Sequence, residues 1–163
     1  MASSSLIELQ STENKADDIA VNRALITETA NRMLQAVSDD DSLTHECPVK
    51  HRFSPGLYIR EIFMPKKTRI VGKIHATEHF NIVLTGKCTV ITAESVEEIT
   101  APYTFISKAG TQKIVIVHED CIWQTTHVTE STDLEEIEKE VIVEGYDNLL
   151  DDGLLKNLKR IES

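Results

Sequence analysis

The chain has 163 residues, enough for one domain with its own core, and is 40% hydrophobic and 27% charged, the composition of a globular protein. A formal net charge of −10 excludes a general nucleic-acid binder, which neutralises phosphates with clustered Lys and Arg. No apolar run reaches the roughly 18–20 residues of a membrane span, so neither nucleic acid nor membrane is expected as a partner.

The opening stretch, MASSSLIELQSTENKADD, lacks the basic region and long apolar segment of a secretory signal, so the chain is expected to stay in the cytoplasm. Residues 1–13 have no periodicity and read as a mobile arm. Over 14–38, Ile19, Ile26, Ala30, Met33 and Val37 make one apolar stripe of an amphipathic helix, which Ser38-Asp39-Asp40-Asp41 ends. Such a stripe must cover something: its own domain, or a second copy or larger assembly.

Residues 45–56, HECPVKHRFSPG, read as a connector punctuated by Pro and Gly. Short β-like runs come next, at Leu57–Met64, Arg69–His75, His79–Thr85, Lys87–Ala93, Tyr103–Ile106, Lys113–His118 and Cys121–Val128. Strands in series without helices between them predict a mainly β domain over 50–128, an antiparallel sandwich or closed barrel. An acidic helical extension fills 129–163. Thr132 reads as the N-cap of its first helix, whose face carries Leu134, Ile137, Val141 and Ile142; Gly145 and Gly153 break the remainder of the extension, and 154–161 could form a last short helix. From Val128 to Ser163 there are 11 acidic and 4 basic residues. This is the composition of a solvated face rather than of a dedicated partner surface.

Chemistry concentrates in Gly72–Gly86, GKIHATEHFNIVLTG. Alternation puts His79, Asn81 and Val83 on one strand face, and Lys73 and His75 on one face of the preceding run. Across a hairpin the two histidines come close enough to share a metal. On the last strand Cys121, Trp123, Thr125 and His127 share a face. His118-Glu119-Asp120 reads as a turn, with His118 exposed. Glu78 lies between the two histidines and reads as part of their turn, the alternative being a general base beside a metal. Trp123 reads as a core or rim anchor. Cys47, Cys88 and Cys121, with no CxxC pair, read as small apolar fillers.

The Gly72–Gly86 stretch resembles the first motif of the cupin superfamily, in which a Gly precedes His-x-His, an acidic residue and a second Gly. His75 falls at the second His, His79 at the acidic position, and Lys73 replaces the first His. Lys108-Ala109-Gly110 resembles the turn of the second motif, with Lys113 in its His slot. More loosely, Ala109-Gly110-Thr111, His118-Glu119-Asp120, Trp123 and His127 resemble a passage of small bacteriophage cupin-like proteins, which would place the chain in a host cytoplasm or virion.

The resemblance implies a single cupin-type antiparallel jelly-roll barrel with an N-terminal helix and a C-terminal helical extension, assembling as a homo-oligomer. It also implies a divalent metal such as Zn, Fe, Mn or Ni. However, lysines at two of the four ligand positions would repel a cation, so the standard site is missing. Three readings stay open. His75, His79 and His127 could hold a metal as an open three-His site, in an isomerase or oxygenase. The same histidines could be hydrogen-bonded barrel residues. Or Lys73, Asn81 and Lys113, with His75, could line a pocket for an anionic small molecule. The leading expectation is a non-catalytic binding or structural accessory protein, the metal enzyme being its rival.

Overall fold

The structure, a computed structural model, describes residues 2–40, 42 and 45–143, with side chains from Asp18 onward. The expected breaks at Gly145 and Gly153 and the short helix over 154–161 lie outside the described residues. The elements in chain order are α1 (Ala2–Asp39), β1 (Val49–Ser54), β2 (Leu57–Met64), β3 (Arg69–Val71), β4 (Ile74–His75), β5 (His79–Ile91), β6 (Val96–Thr100), β7 (Tyr103–Ser107), β8 (Ile114–Val128), α2 (Leu134–Val141) and β9 (Ile142–Val143).

Two long strands organise the molecule. β5 and β8 pair antiparallel along most of their length, from Phe80↔Thr126 to Ile91↔Ile114, with register shifts between Val83 and Cys88. On one side of these shifts β1, β2 and β7 complete a first layer; on the other, β3 and β6 complete a second. Two bent strands shared between two antiparallel layers make a jelly-roll barrel, mainly β, with a helix at either end. Its core is Met64, Val83, Cys88, Val90, Ile99, Val115, Val117, Cys121 and Trp123. Cys88 and Cys121 are fully enclosed and unbridged, apolar fillers as expected.

The sequence breaks β5 at Gly86 and β8 at His118-Glu119-Asp120, but both strands run through. The extra residues at these points are accommodated as bulges, which bend a strand without ending its pairing. The expected turn at His118 is therefore part of β8, and the His118 ring is half-buried against Thr89 Oγ1 at 2.6 Å. Gly86 has φ +89°, and a Cβ there would lie 2.3 Å from the Asp120 carbonyl oxygen. Only glycine allows the two strands to cross so closely. Three strands escape the pattern: β1, inside the Pro- and Gly-punctuated connector, β6, whose Val96-Glu97-Glu98-Ile99-Thr100 buries only Ile99, and the two-residue β9.

At the N-terminus the helix begins at Ala2, ahead of the expected Asn14, since residues 1–13 contain no Gly or Pro to stop it. Its stripe turns onto its own domain: Ile26 and Ala30 are buried, and Asn22 Nδ2 donates to Ala93 O at 3.0 Å. Leu25 and Leu34, beside the stripe, are exposed. Between this helix and the second layer lies a cavity of about 630 Å³, walled largely by Leu25, Ile26, Met33, Ile91, Val96 and Ile114.

At the other end Asp133, not Thr132, caps α2, its carboxylate accepting from the amides of Glu135 and Glu136 at 3.0 Å each. A carboxylate is the stronger acceptor at the positive helix end. Ile137 and Val141 pack on Tyr58, whereas Leu134 stays exposed and Ile142 begins β9.

Gly86→Ala is expected to cost roughly 3 kcal/mol, combining left-handed backbone strain with a clash against main chain. Urea unfolding with circular dichroism would show it as a lowered midpoint.

Candidate binding site in the first layer

The pairing of β8 with β2 and β5 places side chains in rows across the inner face of the first layer. Tyr58 lies opposite His127, and Phe80 opposite Thr126, which sets His79 beside His127. The next row joins Asn81, Thr125 and Arg60. His75 arrives from β4, which is held by β9 through His75↔Ile142 and by the Gly110 amide, which donates to the His75 carbonyl at 2.8 Å. Gly110 turns the chain here with φ +82°.

The three expected histidines therefore meet. Ring centres are 4.2 Å apart for His75–His79, 4.8 Å for His79–His127 and 5.4 Å for His75–His127. One nitrogen of each ring, His75 Nδ1, His79 Nε2 and His127 Nδ1, is buried without a hydrogen-bond partner. His79 Nδ1 lies 3.0 Å from the Thr77 carbonyl oxygen. A carbonyl only accepts, so that nitrogen carries the proton and Nε2 is left with a bare lone pair.

Lys113, just before β8, is 7% exposed. Among the described residues it forms no ion pair, and its charge bears on all three histidines. Burial lowers its pKa to about 8. Burial also lowers His75 to about 2, helped by His79, Lys113, His127 and Arg60. His79 falls to about 4 through burial and Lys113, against the Thr77 hydrogen bond. His127 falls to about 4 through burial, His79, Lys113 and Arg60. The imidazoles are neutral at physiological pH.

Of two further expected pocket residues, one lies elsewhere and the other is on the inner face but already engaged. Lys73 is on the exterior, paired with Glu138 of α2. Gly72 and Lys73 interrupt the strand between β3 and β4, so alternation does not carry from one to the other. Asn81 is fully buried, but both ends of its amide are occupied: Nδ2 donates to Ser107 Oγ at 2.9 Å and Oδ1 accepts from Trp123 Nε1 at 3.2 Å. It belongs to the framework, as does Trp123, edge-on to Phe105. Glu78 is exposed.

Arg60 and Tyr58 were missed, although the alternation of Tyr58, Arg60, Ile62 and Met64 along β2 could have found them. Tyr58 stacks on His127 at 6.0 Å, and its hydroxyl is 2.7 Å from His51 Nδ1.

Among the described residues no three His, Cys, Asp or Glu side chains are grouped as a metal site. The donor chemistry suits a metal ion, but the arrangement as it stands does not.

No family model and no curated protein matches the chain. Solved structures do. A cupin-2 domain protein from Shewanella frigidimarina shares 12% identity, covering 56% of this chain and 91% of its own, at a TM-score of 0.44. An RmlC-like cupin from the same organism shares 16%, covering 53% and 78%, at 0.45. The Schizosaccharomyces pombe Cnp3 cupin domain shares 17%, covering 59% and 72%, at 0.45. At such scores these likenesses say nothing of function, and the barrel is read from its own strand order. The likeness to bacteriophage proteins finds no support among them.

The histidines set a pH dependence with a definite sign. Their folded pKa values lie below the unfolded 6.5, so the unfolded chain binds more protons as pH falls. Stability is full above pH 6.5 and is lost as pH drops through about 4. Denaturant midpoints between pH 7 and 4.5 should fall in the wild type and stay flatter in His75→Gln/His79→Gln/His127→Gln, the carboxylates titrating mainly below this window.

Proposed function

We propose that the protein works by binding, as an accessory barrel whose first layer takes a small ligand at His75, His79, His127 and Lys113. The observation that carries this reading is the three buried imidazole nitrogens without partners. An unsatisfied buried polar atom costs about 1–3 kcal/mol, so three together are expensive unless a ligand meets them. With ring centres 4.2–5.4 Å apart the ligand is small, the size of an ion or a few heavy atoms.

The metal reading keeps one observation in its favour, the His79 lone pair. Metal-bound histidines characteristically tie the other ring nitrogen to an acceptor in this way. In that reading His75, His79 and His127 would hold Zn, Fe, Mn or Ni, and the function would become metal-dependent chemistry on a small molecule. Self-association, expected from the cupin resemblance, has a face to use: Phe63, Phe80, Leu84 and Ile106 stand exposed on the outer side of the first layer.

Untagged protein should be compared with His75→Gln/His79→Gln/His127→Gln by native mass spectrometry and elemental analysis. A co-purifying or titratable small ligand that the variant loses, with circular dichroism unchanged, is the expected result. Near one equivalent of metal, lost in the variant, selects the metal reading. Neither ligand nor metal in the wild type contradicts both.

A further inference from the structure

The first-layer site has an electrostatic imbalance that its histidines do not explain. Lys113 is buried, and Arg60, half-buried, projects to the same face from β2. Both charges bear on His75 and on His127. Among the described residues neither cation is paired with a carboxylate: the ion pairs there join Arg32 to Glu28, Arg52 to Glu61, Lys73 to Glu138 and Lys87 to Glu98. The acids near in sequence are engaged or outward, Glu61 held by Arg52 and Gln124, and Glu78 exposed.

Buried charges in folded proteins are paired or bound to a counter-ion, because isolating one from water costs several kcal/mol. Two cations converging on neutral imidazoles form a site that lacks a negative charge. We infer that the site takes a small oxyanion, a carboxylate or phosphate group, held between Lys113 and Arg60. Arg60 supplies a planar fork of donors and Lys113 a point charge, a combination suited to either group. Imidazole N–H groups can add donors, and the His79 lone pair accepts from a hydroxyl on the same ligand. This inference rests on the binding reading above and adds the ligand's class.

The test is thermal unfolding at constant ionic strength with inorganic phosphate, oxalate or malonate, and with uncharged malonamide as control. At least one of the three anions should raise the midpoint saturably, and malonamide should not; which anion acts separates phosphate from carboxylate recognition. Lys113→Met should fold, unfold no earlier than the wild type without anion because it loses a buried unpaired charge, and bind the anion at least tenfold more weakly. Arg60→Met should weaken binding as well.

Undiminished anion binding in Lys113→Met overturns the inference. So does protection by malonamide that depends on His79 but not on Lys113, although that result leaves the binding reading standing. If no probe, charged or neutral, shifts the wild type and no ligand co-purifies, both fall together.

Discussion

The β5–β8 ladder is the constraint on which the rest of this molecule depends. Because the two strands stay paired while passing from one layer into the other, each contributes to both sheets, and the layers cannot slide against each other without breaking the ladder. The crossing demands close backbone approach at Gly86 and Asp120. The same register that holds the layers together sets His79 beside His127, and the β2–β8 pairing adds Tyr58 and Arg60. Fold and site therefore arise from one set of strand pairings.

Around that ladder the barrel places basic groups where water is scarce. Desolvation keeps the imidazoles neutral and presses on the Lys113 ammonium, so the site carries charge that the surrounding described side chains do not balance. Its end is covered by α2 and β9: Ile137 and Val141 pack on Tyr58, the Ala76 amide donates to the Val141 carbonyl at 2.8 Å, and Lys73 pairs with Glu138. The part of the acidic extension that is described thus works as a cover over the basic end of the barrel. The large apolar cavity under α1 lies in the other layer and is lined by different residues.

Much of this was legible in the residues. Alternation found β2 to the residue and put His79 with Asn81, and Trp123 with His127, on shared faces that the fold turns inward, because a half-buried strand leaves a period of two. The helical stripe of Ile26 and Ala30 was visible for the same kind of reason. What failed were inferences carried across a break. Lys73 was assigned the face of His75, but Lys73 lies with Gly72 in the break between β3 and β4, and it points outward. Glycine and polar residues at 86 and 118–120 signalled strand ends, yet these are bulges, which have turn-like composition without ending the ladder. Asn81 was placed on the right face, but its amide is engaged by Ser107 and Trp123, which come from other strands and which no local pattern names. Arg60 was overlooked because the resemblance drew attention to motif positions, and it lies outside both motifs.

That the three barrel histidines are neutral, with a bare Nε2 on His79, is tested most directly by long-range ¹H–¹⁵N NMR of the histidine rings across a pH titration. The structure predicts that His75, His79 and His127 keep neutral-imidazole nitrogen shifts from pH 8 down to about 5, with His79 protonated at Nδ1. Titration of these rings near the ordinary value of 6.5, or a His79 proton on Nε2, would contradict it.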